Sequence, residues 1–172
     1  MDIISLFLAH WFLSLFCQSF FLHRYSSHGM FKMSLFWERF FYFLTYFTQG
    51  PSFLNPTSYS IMHQKHHANS DTIKDPHSPH HNKSLISMML KTYKEYHSLL
   101  SSKDLYEFKN HPVTVKAPQW RTLDNFAQTY TSILIWTLIY ITMYIYIAPS
   151  FKYFLLLPLH FLVGPIQGAI VN

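Results

Sequence analysis

Thiol and carboxylate are scarce in this chain. The single cysteine, Cys17, excludes an internal disulfide and any zinc site built on cysteines. It falls inside an apolar run and reads as a small packing residue. Only eight of the 172 residues are acidic, and none sits in the Glu-x-x-His spacing of soluble di-iron bundles. Glu38, Glu95 and Glu107 are followed three positions on by Phe41, Ser98 and Asn110. The His-Glu-x-x-His pattern of zinc proteases is absent as well. Charged residues make up 12%, about half the share of a soluble domain. With four glycines, the chain is neither collagen-like nor a low-complexity segment.

Apolar and aromatic residues fill that space, at 49% and 19%. Residues 3–22 and 129–148 are each 20 long without a charge, and 154–171 adds 18 more. Each is long enough to cross a hydrocarbon core about 30 Å thick. No basic region precedes the first run and no small-residue cleavage site follows it, so a span is favoured over a signal peptide. Only residues 149–153 separate the last two runs, which reads as a helical hairpin. Pro158, Gly164, Pro165 and Gly168 are tolerated in a membrane helix.

Twelve of the 13 basic residues lie between Arg24 and Arg121. This bias assigns the middle region, 23–128, to the cytoplasm and accounts for the net charge of +5 without a nucleic-acid partner. Residues 35–54 carry Glu38 and Arg39 among Phe and Tyr. A crossing there would put the flanking histidines on opposite faces, so this segment is read as a buried, membrane-facing or re-entrant helix ended by Gly50-Pro51 and Asn55-Pro56. Residues 84–100 place Leu85, Met89, Tyr93, Tyr96 and Leu100 at helical spacing, with Lys91, Lys94 and Glu95 between, which suits a helix on the membrane surface. The expected fold is an all-α integral membrane protein, one domain over 1–172, with a cytoplasmic helical region.

Twelve histidines are the chemical signal. His63-Gln64-Lys65-His66-His67 puts imidazoles at i, i+3 and i+4, which share one helix face. His66 and His67 diverge by about 100°, so each can serve one of two neighbouring metals. His23 and His28 are five apart and about 140° off on a regular helix. Both face one metal if the helix loosens before Gly29. His10 and His160, inside spans, read as interface residues or buried hydrogen-bond partners. His80, His81, His97 and His111 read as loop or surface residues. Imidazole suits Zn, Cu, Fe and Ni; the membrane setting favours iron, because an apolar substrate calls for oxidation rather than hydrolysis.

At these residues the chain resembles the membrane fatty acid desaturases of the acyl-CoA (stearoyl-CoA, delta-9) type. His23-Arg24-Tyr25-Ser26-Ser27-His28 is similar to their first histidine box and His63 to His67 to their second. Ser70-Asp71-x-x-Lys74-Asp75-Pro76-His77-Ser78-Pro79 is similar to the segment that follows. The likeness extends to the late hairpin and the ending Gly168 to Asn172. It implies a cytoplasm-facing di-iron centre that inserts a cis double bond into a long acyl chain, consuming O2 and two electrons. The implied iron ligands are His23, His28, His63, His66 and His67, with Asn172 reaching iron through water. Asp71 and Asp75 are candidates to orient ligating rings, and Arg24, Lys65 and Lys74 to meet coenzyme A phosphates.

The family has a further histidine and a third box beyond the position of Asn172, so the resemblance implies a C-terminally truncated chain that binds iron poorly and is inactive alone. His111-Pro112-Val113-Thr114 lacks the glycines of a haem-binding cytochrome b5 motif. A separate donor, cytochrome b5 or ferredoxin, is implied. A lipid or sterol hydroxylase uses the same box spacing, and a non-catalytic membrane protein that binds metal is the alternative outside enzymes. A transporter is disfavoured, since it would call for intramembrane ionisable residues and the spans hold only His10 and His160.

Overall fold

The computed structural model describes residues 2–70, 72–75, 78, 80–101 and 117–171, the side chains of 170 and 171 excepted. All regular elements among them are helical, as the all-α expectation requires. They are α1 (Ile3–Cys17), α2 (Leu35–Gln49), α3 (Pro56–Asn69), α4 (Leu85–Leu100), α5 (Arg121–Ala127), α6 (Tyr130–Ile147), α7 (Leu157–Phe161) and α8 (Val163–Val171). Contacts divide the chain into two compact units. The first comprises Met1–Phe21, Met33–Leu54 and Trp120–Gly168, the second Leu22–Lys32, Asn55–Gln119 and Ala169–Asn172.

Helix α1 begins at Asp2, whose carboxylate accepts the Ser5 amide at 2.9 Å. It runs on into a π-helical stretch, Gln18–Ser27, making 25 continuous helical residues, Ile3–Ser27, with an apolar 18-residue window. This continuous helix and the 18-residue α6 are both long and apolar enough to cross a membrane. The run 154–171 is divided. A 3-10 turn over Phe151–Leu156 leads to α7, and Leu162 separates α7 from α8. None of these pieces alone approaches the ~20 residues of a straight span. Pro158 and Pro165 each remove a backbone donor here, and Gly164 sits where a Cβ would come within 2.4 Å of the Ser52 carbonyl oxygen.

The first unit buries hydroxyl and amide side chains among aromatics and turns large apolar side chains outward. On α6, Ser132, Trp136, Tyr140 and Tyr144 recur every fourth residue and are buried, while Leu134, Leu138 and Ile145 stand exposed. On α2, Tyr42, Thr45, Tyr46, Thr48 and Gln49 are buried, and Phe36, Trp37, Phe40, Phe43 and Phe47 face outward. A soluble helix has the reverse pattern. The unit closes around Tyr46, Ala127, Trp136 and Tyr140, flanked by Phe53 and Phe161. Hydroxyls bridge the helices: Tyr46 Oη meets Ser132 Oγ at 2.7 Å, and Tyr42 Oη donates to the buried Asp124 carboxylate at 2.6 Å. Arg39, the cation that disturbs the hydropathy of 35–54, lies over the Trp120 ring at 4.9 Å. Gly50 ends α2 at φ +54, where a Cβ would meet Tyr140 Oη at 2.5 Å.

His10 and His160 pair within this unit, Nδ1 to Nδ1 at 3.0 Å, as the buried-hydrogen-bond reading of the two residues anticipates. Phe7 and Tyr144 pack edge-on against the His160 ring.

In the second unit, α3 starts at Asn55, whose side chain accepts the Ser58 amide at 2.9 Å, with Pro56 in the first turn. Helix α4 is joined to it by the Lys65–Glu95 ion pair and by the Asn55 amide, which donates to Tyr96 Oη at 2.7 Å.

Candidate metal centre

The first histidine box sits on the π-helical stretch, and that solves its spacing problem. In an i→i+5 helix, residues five apart come nearly into line. The His28 amide donates to the His23 carbonyl at 3.1 Å, five residues back, and Ser27 Oγ donates to the Leu22 carbonyl at 2.8 Å in the same register. The ring centroids of His23 and His28 are consequently 4.7 Å apart. Gly29 then turns the chain away at φ +58.

The second box lies on the last turns of α3. His63 and His67, one turn apart, bring their ring centroids to 4.5 Å. His63 meets both members of the first box, at 4.5 Å from His23 and 4.9 Å from His28. One nitrogen from each of His23, His28, His63 and His67 falls within 4.8 Å of the others. His63 is buried at 3% exposure, stacked flat on Tyr59 at 5.8 Å. His28 and His67 are exposed and His23 is half-buried.

His66 is not part of this foursome. Its Nδ1 lies 2.9 Å from both oxygens of Asp75, a fully buried carboxylate. Lys91 of α4 reaches the backbone carbonyls of Ile73 and Asp75, each at 3.2 Å, and holds the loop that carries the acid. Asp71 and Asn172, together with His77 and His111, lie outside the described residues.

The donor set suits a cation better than it suits itself. His63 Nε2 lies 2.9 Å from His28 Nε2 and 3.0 Å from His67 Nε2. A neutral ring nitrogen carries either one proton or one lone pair, so a cluster of three such atoms is poorly served by N–H···N bonds. Four imidazoles converging from two boxes could instead turn their lone pairs toward one cation. Desolvation, and then the neighbouring His67, hold the His28 imidazole below its usual range, which keeps its lone pair free at neutral pH.

Tyr59 was not singled out from sequence, and Lys91 was read there only as a polar residue of the surface helix 84–100. Tyr59 precedes His63 by one helical turn, a spacing that points to it. Lys91 lies 16 residues beyond Asp75, and no local pattern announces that contact.

Comparison with protein-family models matches the fatty acid desaturase family over residues 2–171. No curated protein and no solved structure gives a match. With a match over nearly its whole length, the chain belongs to the fatty acid desaturase family.

Proposed function

From membership in that family, we propose that this chain is a membrane-embedded acyl desaturase domain acting on long acyl chains, in the acyl-CoA manner. The observation that carries the reading is the convergence of His23, His28, His63 and His67, four imidazoles from two separate boxes. In this reading residues 3–22, 129–148 and 154–171 lie in the membrane, and 23–128 faces the cytoplasm. The large apolar side chains that the first unit turns outward support the lipid setting.

The implied metal is a pair of irons. His23, His28, His63, His66 and His67 would hold it, with Asn172 contributing through water. Bound there, iron supplies the one chemistry no side chain offers, the oxidation of an unactivated C–H bond with O2. The overall change removes two hydrogens from adjacent methylenes. O2, two electrons and two protons are taken up and two waters leave. The electrons come from a separate donor such as cytochrome b5 or a ferredoxin.

The chain's own residues do the rest. His66, with Nδ1–H directed to Asp75, presents Nε2 as a lone-pair donor. Asp71 is proposed for a similar role. Tyr59 fixes the plane of the buried His63 ring. All the proposed imidazole ligands are neutral, so the ions' charge is left uncompensated by them, unlike a carboxylate-rich site.

The test is to express the full-length gene in a host of known lipid composition and compare acyl chains by mass spectrometry, with metal content measured on the purified protein. Loss of two hydrogens from a long chain, with iron bound, is expected. Gain of one oxygen would reassign the site to hydroxylation. Iron-free protein with unaltered lipids would leave a non-catalytic membrane protein.

A further inference from the structure

The two histidine boxes are joined by more than their imidazoles. Behind the rings lies a buried knot of three hydroxyls: Ser26 and Ser27 of the first box are fully buried, and Ser60 of α3 is 1% exposed. Ser60 Oγ donates to the Pro56 carbonyl at 2.7 Å, one turn back. Its lone pairs then face Ser26 Oγ at 2.7 Å and Ser27 Oγ at 3.2 Å. Ser26 Oγ also reaches the Pro56 carbonyl, at 3.1 Å. Ser27 Oγ shares its one proton between the Leu22 carbonyl at 2.8 Å and Ser60 Oγ at 3.2 Å, and its own backbone carbonyl accepts from Gln64 Nε2 at 2.8 Å.

This knot stands where the spacing of the boxes is decided. Ser60 precedes His63 by three residues, and Ser27 is the residue before His28. The Ser27–Leu22 bond supports the π register that brings His23 and His28 to one side. The bonds through Ser60 fix α3 against that stretch. Hydrogen bonds shielded from water in this way hold geometry more firmly than exposed ones.

We propose that Ser60, with Ser26 and Ser27, is a positioning clamp that sets the separation of the two histidine boxes and thereby the metal affinity of the centre. The clamp rests on the metal-centre reading above for its purpose, but not for its geometry. It acts through His28 and His63, whose Nε2 atoms it holds 2.9 Å apart.

The experiment compares Ser60→Ala, Ser60→Thr and Ser58→Ala in the full chain, purified in detergent. Ser58 is the control. It lies on the same helix, is equally buried, and its hydroxyl finds no partner among the described residues. Cobalt(II) is the probe, read by affinity and by its visible spectrum. Ser60→Ala is expected to weaken cobalt binding about 10-fold or more, the range for groups that orient ligands, and to shift the spectrum. Ser58→Ala should match the parent, and Ser60→Thr, which keeps the hydroxyl, should recover most of the loss. Equal affinity and spectra for Ser60→Ala and Ser58→Ala would overturn the clamp, as would a Ser60→Ala protein that merely melts earlier while its folded fraction binds normally.

Should the parent bind no cobalt, the metal reading itself fails, and the clamp is judged on the metal-free protein. There, 15N-histidine spectra of Ser60→Ala should shift the His28 and His63 signals and leave His10 and His160 in place. Unchanged His28 and His63 signals would overturn it.

Discussion

The two units each gather histidines, and the two gatherings obey different rules. In the apolar unit, His10 and His160 meet one to one through Nδ1 at 3.0 Å. One ring donates and the other accepts in a single N–H···N bond, while the Nε2 atom of each ring meets no partner among the described residues. In the other unit, His63 Nε2 faces two other ring nitrogens at once, with His23 close by. One proton cannot serve three nitrogens. Proximity of histidines therefore signals packing in the first case and a cation site in the second, and what separates them is the count of donors and acceptors.

The sharpest way to break this comparison is to remove one ring from each. His63→Ala takes out the shared member of the foursome and is expected to abolish metal binding, read by metal analysis of the purified protein. His160→Leu should leave metal content unchanged and lower thermal stability. If His160→Leu strips the metal and His63→Ala does not, the assignment of the two clusters is reversed.

Next in size is Asp75→Asn. The amide cannot supply the carboxylate that fixes the His66 tautomer. A fall in metal affinity of about 10- to 100-fold is expected, measured by competition with a chelator. An unchanged affinity would detach His66 from the centre.

Smaller effects come from the paired histidines. Replacing one partner by leucine leaves the other buried and unsatisfied, at a cost of about 1–3 kcal/mol. The double variant His10→Leu/His160→Leu removes both polar groups, so its loss should be smaller than the sum of the singles. Additive losses in denaturant melts would mean that the 3.0 Å contact carries no coupling.

The mildest test is pH. The folded protein holds His28 below the usual imidazole value of about 6.5. Below that value the unfolded chain takes up the proton first, so the metal-free fold should lose a little stability as pH falls through this window. The ring stays neutral until lower pH, so release of bound metal should be centred below 6.5. Release centred above it, followed by metal absorbance, would show that another group controls access.

Sequence alone determined the long apolar helices and marked the histidines as the chemical signal. Uncharged runs over 3–22 and 129–148 specify long apolar helices, because lipid and core both demand continuous apolar surface and satisfied backbone bonds. The His63, His66, His67 spacing put imidazoles on the last turns of a helix, since side-chain direction there follows from 3.6 residues per turn. The near absence of thiol and free carboxylate narrowed the donor type.

The tertiary structure decided everything that depends on register between distant segments. A π-helical register aligned His23 with His28, where a regular helix sets them about 140° apart. The last apolar run is divided at Leu162, with Pro158 and Pro165 in the first turns of the two pieces, and Gly164 fits where a side chain would meet the Ser52 backbone. His66 went to Asp75, His10 found His160 across 150 residues, and Ser60 found Ser26 and Ser27. Local pattern sets which way a side chain points from its own helix; what it meets depends on chain brought from elsewhere, and no spacing rule encodes that.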